Sequence, residues 1–109
     1  MRTIIIAALA LTMSAAGAVA DDYDGDARKG QDFVRRNCTP CHSVEKGEPA
    51  RAAHNAPSFQ AVADTPGMTA IALMAWFRTP HPTMPDLIIA TKDVRDINAY
   101  ILSLKDQAK

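Results

Sequence analysis

The sequence predicts a small all-α domain, on three observations. Apolar residues recur at helical spacing in segments that open after a capping side chain and close at a breaker. No stretch alternates apolar and polar residues in the way a half-buried strand does. The chain of 109 residues holds one domain at most, and a domain this small needs a staple to supplement its core.

Residues 1–20 read as a cleaved secretory signal peptide. Arg2 supplies the positive start, Ile4 to Leu11 the apolar centre, and Ala18-Val19-Ala20 a small-x-small cleavage site. The apolar stretch is nearly long enough to span a bilayer, so an uncleaved anchor is the competing reading. The small residues from Ser14 to Ala20 and the acidic Asp21-Asp22 favour cleavage. The domain is then 21–109, exported to the periplasm, and no later segment could cross a membrane.

Asp24 or Asp26 caps a first helix running to about Asn37, with Ala27, Gly30, Phe33 and Val34 on one face. A glycine inside a helix costs ~1 kcal/mol in propensity, so Gly30 is expected to serve close packing. Residues 43–57 read as loop, broken by Gly47, Pro49, Asn55 and Pro57. Ser58 caps a short turn through Phe59 and Val62. After Thr65-Pro66-Gly67, Thr69 caps an apolar helix from Ala70 to about Arg78, stopped by Pro80. A last helix is expected from a Thr91 cap to about Lys105, with Val94, Ile97, Ile101 and Leu104 in register and Tyr100 beside them. Trp76 is expected in the core or against a cofactor's acidic edge.

Loss of Arg2 with the leader leaves 11 basic against 12 acidic side chains, a formal charge of −1. That balance argues against nucleic acid, which wants a basic face. The distribution says more. Asp21, Asp22, Asp24 and Asp26 form an acidic leader, while Arg28, Lys29, Arg35, Arg36, Lys46 and Arg51 flank the segment that carries the chemistry. They form either an ordinary solvated surface or a docking rim.

That segment is Cys38-Thr39-Pro40-Cys41-His42. Two cysteines three apart, followed directly by histidine, is the spacing for covalent attachment of a c-type haem. The two thiols add to the two vinyl groups of one porphyrin from a single turn of chain, and the adjacent imidazole becomes the proximal iron ligand. A zinc site wants a second pair of ligands, a thioredoxin-like pair wants a preceding strand, and a disulfide between such near neighbours closes too small a loop to stabilise much. Both cysteines of the chain lie in the motif.

A second axial position is either open or filled by another side chain. Met68 and Met74 belong to a helix start and a helix interior, where packing is the ordinary role. Met84 lies in an irregular segment stiffened by Pro80, Pro82 and Pro85, which loses less entropy on ordering and suits a weak thioether ligand. His81 and His54 are the rival ligands, with exposure to solvent the simpler fate of each.

These residues resemble the class I monohaem c-type cytochromes over essentially the whole of 21–109. Gly30, eight residues before Cys38, stands where that family has a glycine packed on its last helix, and Ile97 and Tyr100 match the partners of that crossing. Pro57 matches the proline whose carbonyl receives the histidine's hydrogen bond. Met84-Pro85 matches the axial methionine and its following proline. Val34 departs from the pattern, which has an aromatic there, and the short span from His42 to Met84 implies trimmed loops and a more exposed haem edge.

The resemblance implies the small cytochrome c fold, with helices packed around one covalently attached haem c bound through Cys38, Cys41, His42 and Met84. It implies a monomeric electron carrier, not an enzyme, that meets redox partner proteins transiently at the haem edge. Two alternatives stand beside it. One is a dedicated cytochrome subunit of an oxidoreductase. The other is a sensor or peroxidase in which a labile Met84 lets small ligands reach the iron. No catalytic triad, carboxylate pair or phosphate-cradling loop supports a hydrolase or transferase.

Overall fold

The computed structural model describes residues 24–51, 55–79, 84 and 88–106. Among these residues the architecture is all-α, with helices α1 (Ala27–Asn37), α2 (Phe59–Asp64), α3 (Ala70–Phe77) and α4 (Thr91–Ser103) and no strand. The leader, His54 and His81 lie outside the described residues.

Three helix starts follow from capping chemistry. The Asp26 carboxylate accepts from the Arg28 and Lys29 amides at 3.0 and 3.3 Å. The Ser58 hydroxyl accepts from Ala61 at 3.1 Å, and that of Thr69 from Ala72 at 3.2 Å. Each satisfies an amide that the first turn would otherwise leave open. The fourth start differs from the expected one. Thr91 is the first helical residue rather than the cap, and Ala90 in the cap position has no side chain to offer. Thr91 instead receives a hydrogen bond from Arg78 Nη2 at 3.3 Å, which ties the end of α3 to the start of α4. Asp93 supplies negative charge to that first turn.

The other three helices all pack against α4. Its expected apolar face is buried throughout: Val94, Ile97, Tyr100 and Ile101, with Leu104 just beyond the helix. Val34 of α1, Val44, Phe59, Ala63 and Leu73 complete one contiguous core. Val34, where an aromatic was the family pattern, is fully buried, and Phe33 packs against the core from its margin.

α1 and α4 meet backbone to backbone. A Cβ added to Gly30 would stand 1.9 Å from the Asp96 carbonyl oxygen, and one added to Gly25 would stand 2.0 Å from that of Arg95. Only glycine admits such an approach. Beside this crossing the nearly buried Asp96 carboxylate accepts from the Asp26 amide at 2.7 Å and from Lys92 Nζ at 3.2 Å. The amide bond, with help from Lys92, holds the Asp96 carboxyl below the usual carboxylate range. Further along α4, the Tyr100 hydroxyl donates to the Val44 carbonyl at 2.6 Å, and burial pushes its pKa up.

α3 is apolar on every side, but not all of it is inside. Leu73 and Met74 are buried, whereas Ile71 and Trp76 are 61% and 55% exposed. The expected core position of Trp76 is therefore corrected. Leu73 and Met74 fill the α3 positions that face inward, and Trp76 lies outside the core. Among the described residues no helix is long and apolar enough to cross a membrane.

Candidate haem-attachment site

The cysteine pair sits where α1 runs out. Cys38 is the C-cap, its amide bonded to the Val34 carbonyl at 2.9 Å. The chain then tightens into a turn in which the Cys38 carbonyl accepts from the amides of both Cys41 and His42, at 3.2 and 2.9 Å. That turn brings Cys38, Cys41 and His42 together. Pro40, which has no amide to donate, lies inside the turn where none is needed.

Both thiols are free, and their surroundings differ. Cys38 packs against the core, and burial pushes the pKa of its thiol up to about 11. Cys41 is exposed.

His42 is held by a loop, not by a helix. Its Nδ1 lies 2.7 Å from the Pro57 carbonyl oxygen. A carbonyl only accepts, so Nδ1 carries the proton, and in the neutral ring Nε2 keeps its lone pair. The Phe59 ring sits against the imidazole with centroids 5.0 Å apart and planes tilted by 47°. Phe59 is itself buried, and its amide donates to the Ser43 carbonyl at 2.9 Å, so the loop closes back on the residue after His42.

Side-chain bonds replace secondary structure in that loop. Glu45 pairs with Arg35 of α1 and accepts from Gln31, and the Arg35 bond holds its carboxyl below the usual range. The Gly47 amide donates to Gln60 Oε1 at 3.0 Å, with Gly47 in the left-handed conformation that glycine tolerates. Arg51 Nη1 donates to the Thr39 carbonyl at 2.8 Å.

Met84 is half-buried and is the only described position between Thr79 and Ile88. The prolines expected to stiffen its segment, Pro80, Pro82 and Pro85, lie outside the described residues. Phe59, Arg51, Glu45 and Gly25 carry parts of the arrangement that sequence reading did not assign. For Arg51 the one available signal was its place among the basic residues flanking the motif.

The family model for cytochrome c matches residues 27–105, from the start of α1 to the residue after Leu104. The chain belongs to the cytochrome c family. Searches among curated proteins and among solved structures returned no match. Cytochrome c domains carry one covalently attached haem c with its iron and serve electron transfer with redox partners. The residues present fit that group. Two free thiols three positions apart share one turn, and the adjacent imidazole is tied through Nδ1 so that Nε2 is the nitrogen left to bind a metal.

Proposed function

We propose that this cytochrome c is an exported, periplasmic electron carrier of domain 21–109, made with a signal peptide over residues 1–20 that is then removed. In this reading Cys38 and Cys41 would hold the haem through two thioethers, and His42 Nε2 and the Met84 sulfur would be its iron ligands. When bound, the haem supplies one-electron exchange between ferrous and ferric iron.

The chain's own residues do the rest. The Pro57 carbonyl, by accepting from Nδ1, fixes the imidazole's rotation and raises its basicity toward a metal. Phe59 keeps one side of that ring dry. Met84 supplies a thioether, which favours the ferrous state relative to a second imidazole. With both ligands in place the iron would offer no open position to a substrate, which suits a carrier rather than an enzyme. Its partners are redox proteins that dock weakly and leave quickly, and it works as a monomer.

The observation that carries the reading is the short bond between His42 and Pro57 beside a paired-cysteine turn. The test of attachment is iron-porphyrin that stays with the polypeptide on a denaturing gel, after expression in a host that makes such linkages. The test of ligation is the weak long-wavelength band of ferric iron bound to sulfur. Wild type is expected to show that band and Met84→Ala to lose it. An identical spectrum in the two proteins sinks Met84 as the ligand, and a new band typical of two imidazoles in the variant identifies His81 or His54 as the replacement.

A further inference from the structure

We propose that Arg51 is a positioning residue for the cysteine turn, and that its fixed positive charge raises the reduction potential of this cytochrome c. The proposal rests on the reading of residues 38–42 as the haem attachment.

Thr39 lies between the two cysteines, and it is gripped from two directions. Its hydroxyl donates to the Arg35 carbonyl in the last turn of α1 at 3.1 Å. Its own carbonyl receives no amide among the described residues, whereas the Cys38 carbonyl receives two. A carbonyl at a helix end carries partial negative charge and wants a donor, and a cation there is favourable on both counts. Arg51 provides it at 2.8 Å, from a position 12 residues further along the chain.

Two features separate Arg51 from the other basic residues near the motif. Arg35 and Lys46 are each paired with a carboxylate, Glu45 and Asp106 respectively. Arg51 makes no ion pair among the described residues. Arg36 is also exposed and forms no ion pair there, but it has no bond to the turn. Among the described residues, Arg51 is thus a cation with no carboxylate partner, hydrogen-bonded to the backbone between the two attachment points.

The bond also closes the loop that begins after His42. Counting from the turn, the loop is pinned at Ser43 by Phe59, at Thr39 by Arg51, and at Pro57 by His42. Loss of the middle tie leaves the His42 bond to be held by its ends alone. A cation held at the cysteine turn, where the haem would be attached, would oppose the added positive charge of the ferric state, and a firmly held Pro57 carbonyl would steady the His42 imidazole.

The experiment is a redox titration of haem-loaded wild type, Arg51→Gln, Arg51→Lys and Arg36→Gln, with thermal unfolding of each alongside. The potential of Arg51→Gln is expected to fall below wild type by clearly more than that of Arg36→Gln, and Arg51→Lys to recover most of the difference. Unfolding should change little, since the side chain is exposed. A shift in Arg51→Gln no larger than in Arg36→Gln overturns the proposal, as does a lysine variant that recovers nothing. If all four proteins carry attached haem and their potentials coincide, only the role of Arg51 falls. If wild type carries none, the attachment reading falls and this proposal with it.

Discussion

The crossing of α1 on α4 sets up a contest between two effects of one methyl group, and Gly30→Ala decides it. In an exposed helix the substitution would stabilise by ~1 kcal/mol, because alanine is the better helix former. Here the new Cβ would stand 1.9 Å from the Asp96 carbonyl oxygen, 2.4 Å from its carbon and 2.9 Å from the Ile97 amide nitrogen. All three are backbone atoms of α4 and cannot rotate away. To reach ordinary contact the helices must separate by about 1.5 Å at this point. That opens the seam where Val34, Ile97 and Ile101 are packed and strains the bond from the Asp26 amide to Asp96. Overpacking of this kind costs up to about 3 kcal/mol, leaving a net loss of about 2 kcal/mol after the propensity gain. For a domain of this size that is a fall in Tm of roughly 8–16 °C. The assay is thermal unfolding of the haem-loaded protein followed by circular dichroism, with Gly25→Ala as a second instance of the same geometry. A Gly30→Ala protein as stable as wild type, or more so, would mean that the helices do not approach this closely.

Three further outcomes are expected. The Asp96 pKa is lowered on folding, so its contribution is fully present above the ordinary aspartate value of ~3.9 and is lost as pH falls through the lower folded value; Asp96→Asn, which can still accept from the Asp26 amide, should unfold with a shallower acid limb, with Glu45 and Asp64 supplying the limb that remains. An unchanged limb would remove Asp96 from the acid response. Phe59→Ala empties a core position and should cost about 3–5 kcal/mol, read by denaturant unfolding, while also freeing the His42 ring. Asn98 is almost wholly buried, with Nδ2 at a long 3.4 Å from the Ala70 carbonyl and Oδ1 without a partner among the described residues, so Asn98→Leu should gain about 1 kcal/mol in the same assay, and a clear loss would show that the amide is better satisfied than its geometry indicates.

How much of this was legible in the sequence depends on how local the signal is. Ser58 and Thr69 were readable as caps, and Asp26 as one of two candidates with Asp24, because a cap acts on amides two or three residues away. Thr91 misled because its hydroxyl meets the same composition rule, yet the backbone turns helical one residue earlier. Val94, Ile97, Tyr100, Ile101 and Leu104 were readable because helical periodicity is itself a statement about one face. Trp76 was not, since a helix apolar on every side has no periodicity to say which side is in. The cysteine turn was legible from spacing alone, and the Pro57 bond from resemblance. The bonds from Arg51 to Thr39, from Glu45 to Arg35 and from Asp96 to the Asp26 amide join residues 10 to 70 positions apart, and nothing in one sequence records such pairings.

The two proposed axial residues are supported in different ways, and this decides where substitutions should act. Every contact on His42 leads to an anchored group: its amide to the Cys38 carbonyl at the end of α1, its Nδ1 to Pro57, its ring to Phe59 at the start of α2. Phe59 is packed in the core, and the preceding Ser58 caps α2, so the histidine is positioned by the folded domain itself. Met84 lies outside the helices, between the end of α3 and the start of α4, and none of the contacts described for His42 reaches it. A thioether is a weak ligand, so in the proposed ligation prolines that limit the entropy lost on ordering would matter more than bond strength. Substitutions in residues 43–59 should therefore change the potential and the proximal histidine together. Substitutions near Met84 should change the sulfur-to-iron band and leave the His42 bond to Pro57 intact. A change at Pro85 that weakened the proximal hydrogen bond would show that the two sides are coupled through the domain and are not independently supported.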